Sequence, residues 1–204
     1  MVVLMKIRTI GTALGLSSFM VCAGWAQSTF QLRNQDLAHG IDAPVRDAAG
    51  TLLAGTGYLV ELWGAATPDS LSPAIEFYAN QRLIIPFRMD RPGYFLAPVA
   101  TLAIPSVPMG GFAWLQVRAW DARLGSTYED AMARGLGGYG ESAPFYAVGG
   151  NPGALVPPQP LIGLQSFSLR PAVPEPSVWL LLALGVGGLA WGVRRNKASF
   201  PRQE

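Results

Sequence analysis

Apolar residues follow three different patterns along this 204-residue chain. Residues 178–193 form an uninterrupted apolar run that ends directly before basic residues, and residues 10–26 are apolar or small throughout. Between these runs, apolar residues come in short stretches separated by glycine and proline. The pattern predicts one central domain, residues 27–171, flanked by two segments suited to a membrane.

The central stretches are short and rich in residues that favour β-strands. The predicted strands are 58–63, 81–87, 99–104, 112–120, 145–148 and 165–169. The clearest is 112–120, where Leu115, Val117 and Ala119 would face one side and the residues between them the other. One helix is predicted at 127–134, with Thr127 as its N-cap and Asp130 at the third helical position. The expected fold is mainly β, an antiparallel β-sandwich with one short helix, in which 151–160 is a long loop.

The N-terminal run has the features of an export signal. Lys6 and Arg8 precede the apolar residues, and Gly24 and Ala26 place small residues three and one positions before Gln27. This is the pattern of a signal-peptidase site and predicts a cleaved signal peptide at 1–26, with an uncleaved anchor helix as the alternative. Cys22 follows Val21, and a lipoprotein signal requires a small residue there, so lipidation is not expected.

The C-terminal run is long enough to cross a membrane once. A helix over 177–193 reaches the lower limit of roughly 17 residues for the hydrocarbon core. Arg194, Arg195 and Lys197 follow at once. Such a basic cluster resists translocation, so the tail 194–204 is expected to remain in the cytoplasm. A buried helix of a soluble domain is the alternative, which the position and the basic residues disfavour.

A proline-framed glutamate comes directly before this run, at Val173, Pro174, Glu175 and Pro176. The prolines fix their own φ angles and stop a helix from extending upstream, so the peptide around Glu175 should stay extended and accessible. The charge of Glu175 keeps this segment out of the hydrocarbon.

In order and spacing, residues 172–197 resemble the PEP-CTERM sorting signal of Gram-negative bacteria, which is also catalogued as an ice-binding-protein C-terminal domain. The resemblance implies recognition by an exosortase, a membrane-embedded cysteine transpeptidase-like enzyme. It also implies a single-pass inner-membrane intermediate, followed by delivery to the cell surface or the exopolysaccharide matrix. The motif residues would then be features of a substrate and perform no catalysis.

Charge and cysteine content narrow the function of the central domain. Both lysines, Lys6 and Lys197, lie in the targeting segments, and the domain itself is slightly acidic. Nucleic-acid binding requires clustered cations on one face, so it is not expected. Cys22 is the only cysteine and leaves with the signal peptide, so the mature domain must rely on packing and has no thiol chemistry.

Three features of the sequence are candidate sites of chemistry. Residues 135–140 fit G-x-G-x-x-G, but a dinucleotide site needs a strand before the first glycine and a helix after it, so a flexible loop is favoured. His39 is the only histidine and cannot build a multi-histidine metal site. A carboxylate pair could serve a glycosidase, although turn and helix capping explain Asp121 and Asp130 more simply. The carboxylates in question are Asp121, Glu129, Asp130 and Glu141.

Aromatic residues offer one candidate ligand platform, made of Trp114, Arg118 and Trp120 on one strand face, with core packing as the alternative. We therefore expect a non-enzymatic structural protein of the cell surface or matrix, with no cofactor or metal. A carbohydrate-binding module acting in exopolysaccharide is the alternative, and a secreted hydrolase comes third. Without its ends, the domain is expected to be a soluble, mostly β monomer under reducing conditions.

Overall fold

The computed structural model describes residues 27–171, which form antiparallel sheets and one short helix. The strands are β1 Ser28–Arg33, β2 Gln35–Asp36, β3 Ile41–Asp42, β4 Tyr58–Ala65, β5 Ser72–Pro73, β6 Ile75–Glu76, β7 Ile85–Pro86, β8 Leu96–Ile104, β9 Phe112–Asp121, β10 Tyr139–Glu141 and β11 Phe145–Val148. The α-helix α1 is Tyr128–Ala133, and 3-10 helices span Leu37–His39, Gly55–Gly57, Pro68–Ser70, Ala122–Leu124 and Pro152–Ala154.

The larger sheet is organised around β9. This strand pairs with β4 from Tyr58↔Asp121 to Ala65↔Trp114, and with β10 and β11 on its other side. Strands β5 and β7 extend the sheet from β4. The result is a six-stranded antiparallel sheet with the order β10-β9-β4-β5, to which β11 and β7 are attached.

The smaller sheet has the order β1-β8-β6, and its β1–β8 ladder is interrupted. Gln31 lies opposite Thr101, but Arg33 lies opposite Leu96, so β8 contributes more residues to this interval than β1. Pro98 falls inside the interval and has no N–H to donate, which makes a break in pairing there inexpensive. A separate pair, β2-β3, lies beside the end of β1.

Both sheets bury side chains in one apolar core. The core takes Leu115, Val117 and Ala119 from β9, Val60 and Leu62 from β4, Phe30 and Leu32 from β1, and Leu102 and Ile104 from β8. The sheets approach closely at Gly64, where a Cβ atom would lie 2.6 Å from Ile104 Cδ1 and 2.9 Å from Leu115 Cδ2. A larger residue at Gly64 would therefore push the two sheets apart.

The mainly β prediction is confirmed, including four of the strands. Strands 58–63, 99–104 and 112–120 correspond to β4, β8 and β9, which are each slightly longer, and 145–148 is β11. The strand predicted at 81–87 is reduced to Ile85–Pro86. The strand predicted at 165–169 is wrong, because only an isolated bridge between Arg46 and Ser168 forms there.

The segment after β11 is irregular but belongs to the same core. Leu161, Leu164 and Leu169 are buried in it, and Gln159 forms a bridge with Phe30 of β1. Apolar spacing in 165–169 resembled a strand because Phe167 and Leu169 both contact the core. Both side chains are packed against the core, but the backbone of this segment bonds to Arg46 and Tyr139 without forming a continuous ladder.

Helix α1 begins as the sequence predicts. Thr127 Oγ1 accepts a hydrogen bond from the Asp130 N–H at 3.2 Å, and the Asp130 carboxylate accepts one from the Thr127 N–H at 3.3 Å. This is the reciprocal capping box expected from the sequence. It fixes the start of a helix that is too short to be stable by itself.

Replacing Thr127 with alanine is expected to lower the free energy of unfolding of residues 27–171 by about 1 kcal/mol, because the Asp130 N–H loses its partner. Urea unfolding followed by tryptophan fluorescence measures the change. Thr127→Ser keeps the hydroxyl and is the matched control, so an equal loss in both variants would contradict a capping role.

Among residues 27–171, no helix is long and apolar enough to cross a membrane. The predicted signal peptide at 1–26, the sorting residues 173–176, the transmembrane helix at 177–193 and the basic cluster of Arg194, Arg195 and Lys197 all lie outside the described residues.

Candidate functional site on the outer face of the larger sheet

The larger sheet has a second face, turned away from the core, that carries most of the polar and aromatic side chains of interest. Side chains alternate along a strand, so the residues between the core positions of β4 and β9 project to this outer face. They are Leu59, Glu61 and Trp63 from β4, and Phe112, Trp114, Gln116, Arg118 and Trp120 from β9. Helix α1 covers this face at Trp120, whereas Phe112 at the other end of β9 is exposed.

Helix α1 covers the end of the face that contains Trp120. The Trp120 ring is fully buried in a second apolar cluster with Tyr128, Ala131 and Tyr139. Its Nε1–H donates to the backbone oxygen of Gly125 at 3.0 Å. Trp120 is thus a core residue with a satisfied polar atom, and it cannot belong to a ligand platform at the surface.

A buried ion pair lies beside this cluster. Glu61 is only 1% exposed. Its two carboxylate oxygens accept hydrogen bonds from Arg82 Nε and Nη2, each at 2.5 Å, and one of them also accepts from Trp63 Nε1 at 2.7 Å. Arg82 also donates to Glu129 of α1, at 2.7 and 3.1 Å. One guanidinium therefore joins β4 to the helix through two carboxylates.

The titration of this group follows from its contacts. Burial alone would lower the pKa of Arg82, but hydrogen bonds and charges from Glu61 and Glu129 raise it overall. Burial would raise the pKa of Glu129, yet the hydrogen bonds from Arg82 and from its own backbone, with the charges of Arg82 and Arg118, lower it. Both groups remain charged near neutral pH, as a structural ion pair requires.

Arg118 is held by aromatic rings. Its guanidinium carbon lies 3.6 Å from the centre of the Trp63 ring and 5.0 Å from that of Tyr128. Its Nε donates to Gln116 Oε1 at 2.9 Å. Burial is the largest influence and lowers its pKa, and within residues 27–171 it forms no ion pair. Arg118 is a packed, oriented cation with little freedom to follow a ligand.

Glu141 closes this end of the face. Its carboxylate accepts hydrogen bonds from the Tyr128 hydroxyl and from Arg170 Nη2, the latter at 2.5 Å. Burial and the bond to Glu141 raise the pKa of Tyr128 well above its ordinary value. The phenol is therefore a hydrogen-bond donor throughout the physiological pH range.

The open end of the face carries three aromatic side chains, which we call the aromatic cluster: Phe112, Trp114 and Tyr146. Phe112 stacks on Tyr146 at a centroid distance of 5.1 Å and an interplanar angle of 10°. Trp114 is tilted against Tyr146 at 5.2 Å. Phe112 is 56% exposed and Tyr146 53%. Adjacent exposed aromatic rings are uncommon on a surface that has no binding role.

The remaining predicted residues have structural contacts. Asp121 caps the turn after β9, where it accepts from the Arg123 N–H at 2.9 Å; ion pairing with the Arg123 side chain lowers its pKa. His39 is exposed and contacts Asp36 through Nδ1 at 2.7 Å.

In the G-x-G-x-x-G stretch, a helix precedes the glycines and Gly140 lies in strand β10, so the order needed for dinucleotide binding is reversed. Residues 135–138 form a loop, as expected, and residues 139–140 belong to β10.

Each of the four predicted carboxylates has a partner of its own in the structure. Glu129 contacts Arg82, Glu141 contacts Arg170, Asp121 contacts Arg123 and Asp130 caps α1. Each carboxylate is committed to a cation or a helix terminus. Within the described part of the chain, no group of three or more His, Cys, Asp or Glu side chains could hold a metal ion.

Sequence reasoning missed Glu61, Arg82 and two of the three residues of the aromatic cluster. The position of Glu61 inside an otherwise apolar strand could have indicated a buried ion pair, because a buried charge must be paired. Phe112 and Tyr146 could not be associated from the sequence, since their contact depends on the register of β9 with β11.

Comparison with known proteins gives one finding. The family model of the PEP-CTERM protein-sorting motif matches residues 172–196. No curated protein and no solved structure matches the chain. The match coincides with the segment whose prolines, glutamate, apolar run and basic cluster indicated a sorting signal. The chain therefore carries a PEP-CTERM protein-sorting motif, which supports an exported, exosortase-sorted protein.

Proposed function

We propose that the protein is a non-enzymatic structural component of the cell surface or the extracellular matrix. The observation that carries this proposal is the PEP-CTERM motif at residues 172–196, which implies export and processing by an exosortase. The commitment of Glu129, Glu141, Asp121 and Asp130 to arginines or to a helix cap supports a role without hydrolysis. Two sheets that share one core support a β-sandwich ectodomain for residues 27–171.

In this proposal the C-terminal segment first stops export and is then processed. The apolar run 178–193 halts in the inner membrane, and Arg194, Arg195 and Lys197 hold the tail in the cytoplasm. Pro174, Glu175 and Pro176 present an extended peptide to the exosortase.

Replacing Pro174, Glu175 and Pro176 together with alanine is expected to abolish maturation while membrane insertion continues, because the apolar run is unchanged. The mass and the membrane-bound fraction of a tagged chain are measured in hosts with and without exosortase. The comparison is a variant in which Arg194, Arg195 and Lys197 are replaced with neutral residues. In that variant the tail should cross the membrane instead of remaining in the cytoplasm. A membrane-held protein of the same mass in both hosts would contradict sorting and leave a plain single-pass anchor.

A second candidate function is carbohydrate binding in the exopolysaccharide, which the aromatic cluster favours. Exposed aromatic rings stack against the apolar faces of sugar rings at little entropic cost, because an aromatic side chain has few rotatable bonds. In this candidate, Trp114 is the one member of the originally expected platform that contacts the ligand.

Tyr146→Ala is expected to weaken binding of residues 27–171 to its preferred glycan about tenfold, which corresponds to the loss of roughly 1.4 kcal/mol of stacking and area burial. A glycan array identifies the ligand, and titration of that glycan measures the affinity. Met132→Ala removes another exposed apolar side chain and is the control. Equal affinity of Tyr146→Ala and Met132→Ala would exclude the aromatic cluster as the site.

A further inference from the structure

A groove runs across the outer face of the smaller sheet, on the opposite side of the core from the aromatic cluster. It consists of two adjoining cavities of about 310 Å³ and about 250 Å³. They share Thr101 and Pro158 in their linings, so they lie next to each other. Their separate volumes lie near the lower end of the usual range for small-molecule sites.

The interrupted β1–β8 ladder opens the first cavity. Between Gln31↔Thr101 and Arg33↔Leu96, the extra residues of β8 leave the ladder, and Pro98 among them has no N–H to donate to β1. The outward-facing side chains of Gln31 and Arg33 thereby line a recess where a regular sheet would be flat. At the other end of this sheet face, the loop that follows β11 covers Thr29.

The recess presents hydrogen-bonding groups that the protein itself does not use. Arg33 binds Asp36 through Nη2, and its Nη1 is not buried and has no hydrogen-bond partner among residues 27–171. The side chains of Gln31 and Thr101 likewise form no hydrogen bonds within the described residues. Together they offer donors and acceptors side by side, the combination that matches the hydroxyl groups of a sugar.

The second cavity supplies an aromatic ring and a stiff wall. Tyr78 is 78% exposed, and its ring stands edge-to-face with that of Phe77 at 5.2 Å. The proline-rich segment at Pro157 and Pro158 also lines this cavity, and the Pro157 oxygen accepts a hydrogen bond from Gln159 Nε2 at 2.8 Å. Proline restricts its own backbone and that of its neighbour, so the groove is largely preformed.

We propose that this groove binds a hydroxyl-rich polysaccharide chain, with Gln31, Arg33 and Thr101 hydrogen-bonding one sugar and Tyr78 stacking against the next. The inference rests on the proposed carbohydrate-binding function for its class of ligand. The residues are different and lie on the other sheet, so the two sites succeed or fail separately.

The test is affinity electrophoresis of the mature protein, purified from an exosortase-containing host, through gels that contain hydroxyethyl cellulose, dextran or alginate. Gln31→Met and Tyr78→Ala are each expected to weaken retention by one of these polymers about tenfold. Arg33→Lys keeps the charge beside Asp36 but removes the Nη1 donor, and should weaken retention in the same direction. Leu37→Ala, a substitution of another exposed apolar residue, is the matched control and should leave retention unchanged.

The other outcomes separate the two sites. Retention that is lost in Tyr146→Ala but not in Gln31→Met or Tyr78→Ala would overturn the groove and support the aromatic cluster. Absence of retention by all three polymers would overturn both. A change of sedimentation coefficient in Tyr78→Ala, with no polymer bound by the parent protein, would assign the groove to contacts between copies of the chain and overturn the polysaccharide.

Discussion

Replacing Arg82 with methionine is expected to lower the free energy of unfolding of residues 27–171 by about 3–5 kcal/mol. Glu61 is 1% exposed and receives two hydrogen bonds from Arg82, so the substitution leaves a buried carboxylate with Trp63 Nε1 as its remaining partner. Glu129 also loses Arg82, but it is partly exposed and can be solvated. The loss at Glu61 therefore dominates. Urea unfolding at neutral pH measures it.

Two further variants distinguish the buried charge from simple loss of packing. In a Glu61→Gln, Arg82→Met double variant, the charge is gone and the acceptor for Trp63 is kept, so most of the lost stability should return. Arg88→Met removes an arginine that pairs with the exposed Asp90 and should change stability little. If the double variant is as unstable as Arg82→Met, the alkyl chain of Arg82 and not its charge is what the fold requires.

Trp120→Ala is expected to be similarly severe, at about 3–5 kcal/mol. The ring is fully buried under α1, packs edge-to-face against Tyr128 and donates a hydrogen bond to Gly125. Its removal creates a cavity between the helix and β9, and the short helix has few other contacts with which to compensate. Thermal unfolding with circular dichroism detection would show the loss.

Trp114→Ala is the matched control for this second variant, because Trp114 lies on the same face of the same strand and is partly exposed. It should cost clearly less stability than Trp120→Ala. An equal or larger cost at Trp114 would mean that the aromatic cluster stabilises the sheet, and would remove the main reason to regard it as a binding surface.

The sequence predicted those features that depend on local pattern. Alternation in β9 identified Leu115, Val117 and Ala119 as core residues, and Thr127 with Asp130 identified the start of α1. These predictions succeed because neighbouring residues decide strand faces and helix caps. The sorting motif at residues 172–196 could be predicted for the same reason, since a sorting signal is recognised as a linear peptide.

Features that depend on which segments meet could not be predicted. Trp114 and Trp120 lie on the same face of β9. Trp120 is covered by α1 and Trp114 is not, because the helix crosses only one end of the sheet. Arg82 and Glu61 are separated by 21 residues, and nothing local indicates their pairing. Alternating apolar residues indicate burial, and a residue can be buried without belonging to a hydrogen-bonded strand. Leu169 was therefore predicted to lie in a strand although it does not.

The burial of Leu169 has a consequence for the order of events during export. The Arg170 N–H donates to the Tyr139 oxygen, and only Arg170 and Pro171 separate Leu169 from the first residue of the matched sorting motif. Even fully extended, three residues span at most roughly 10 Å. In the proposed export route, a chain that crosses the membrane from its N-terminus would therefore close its core only when the proposed stop-transfer segment is arriving. Folding of the domain would then pull on the very segment that the exosortase must bind, and extension of this junction by a few residues should uncouple the two events.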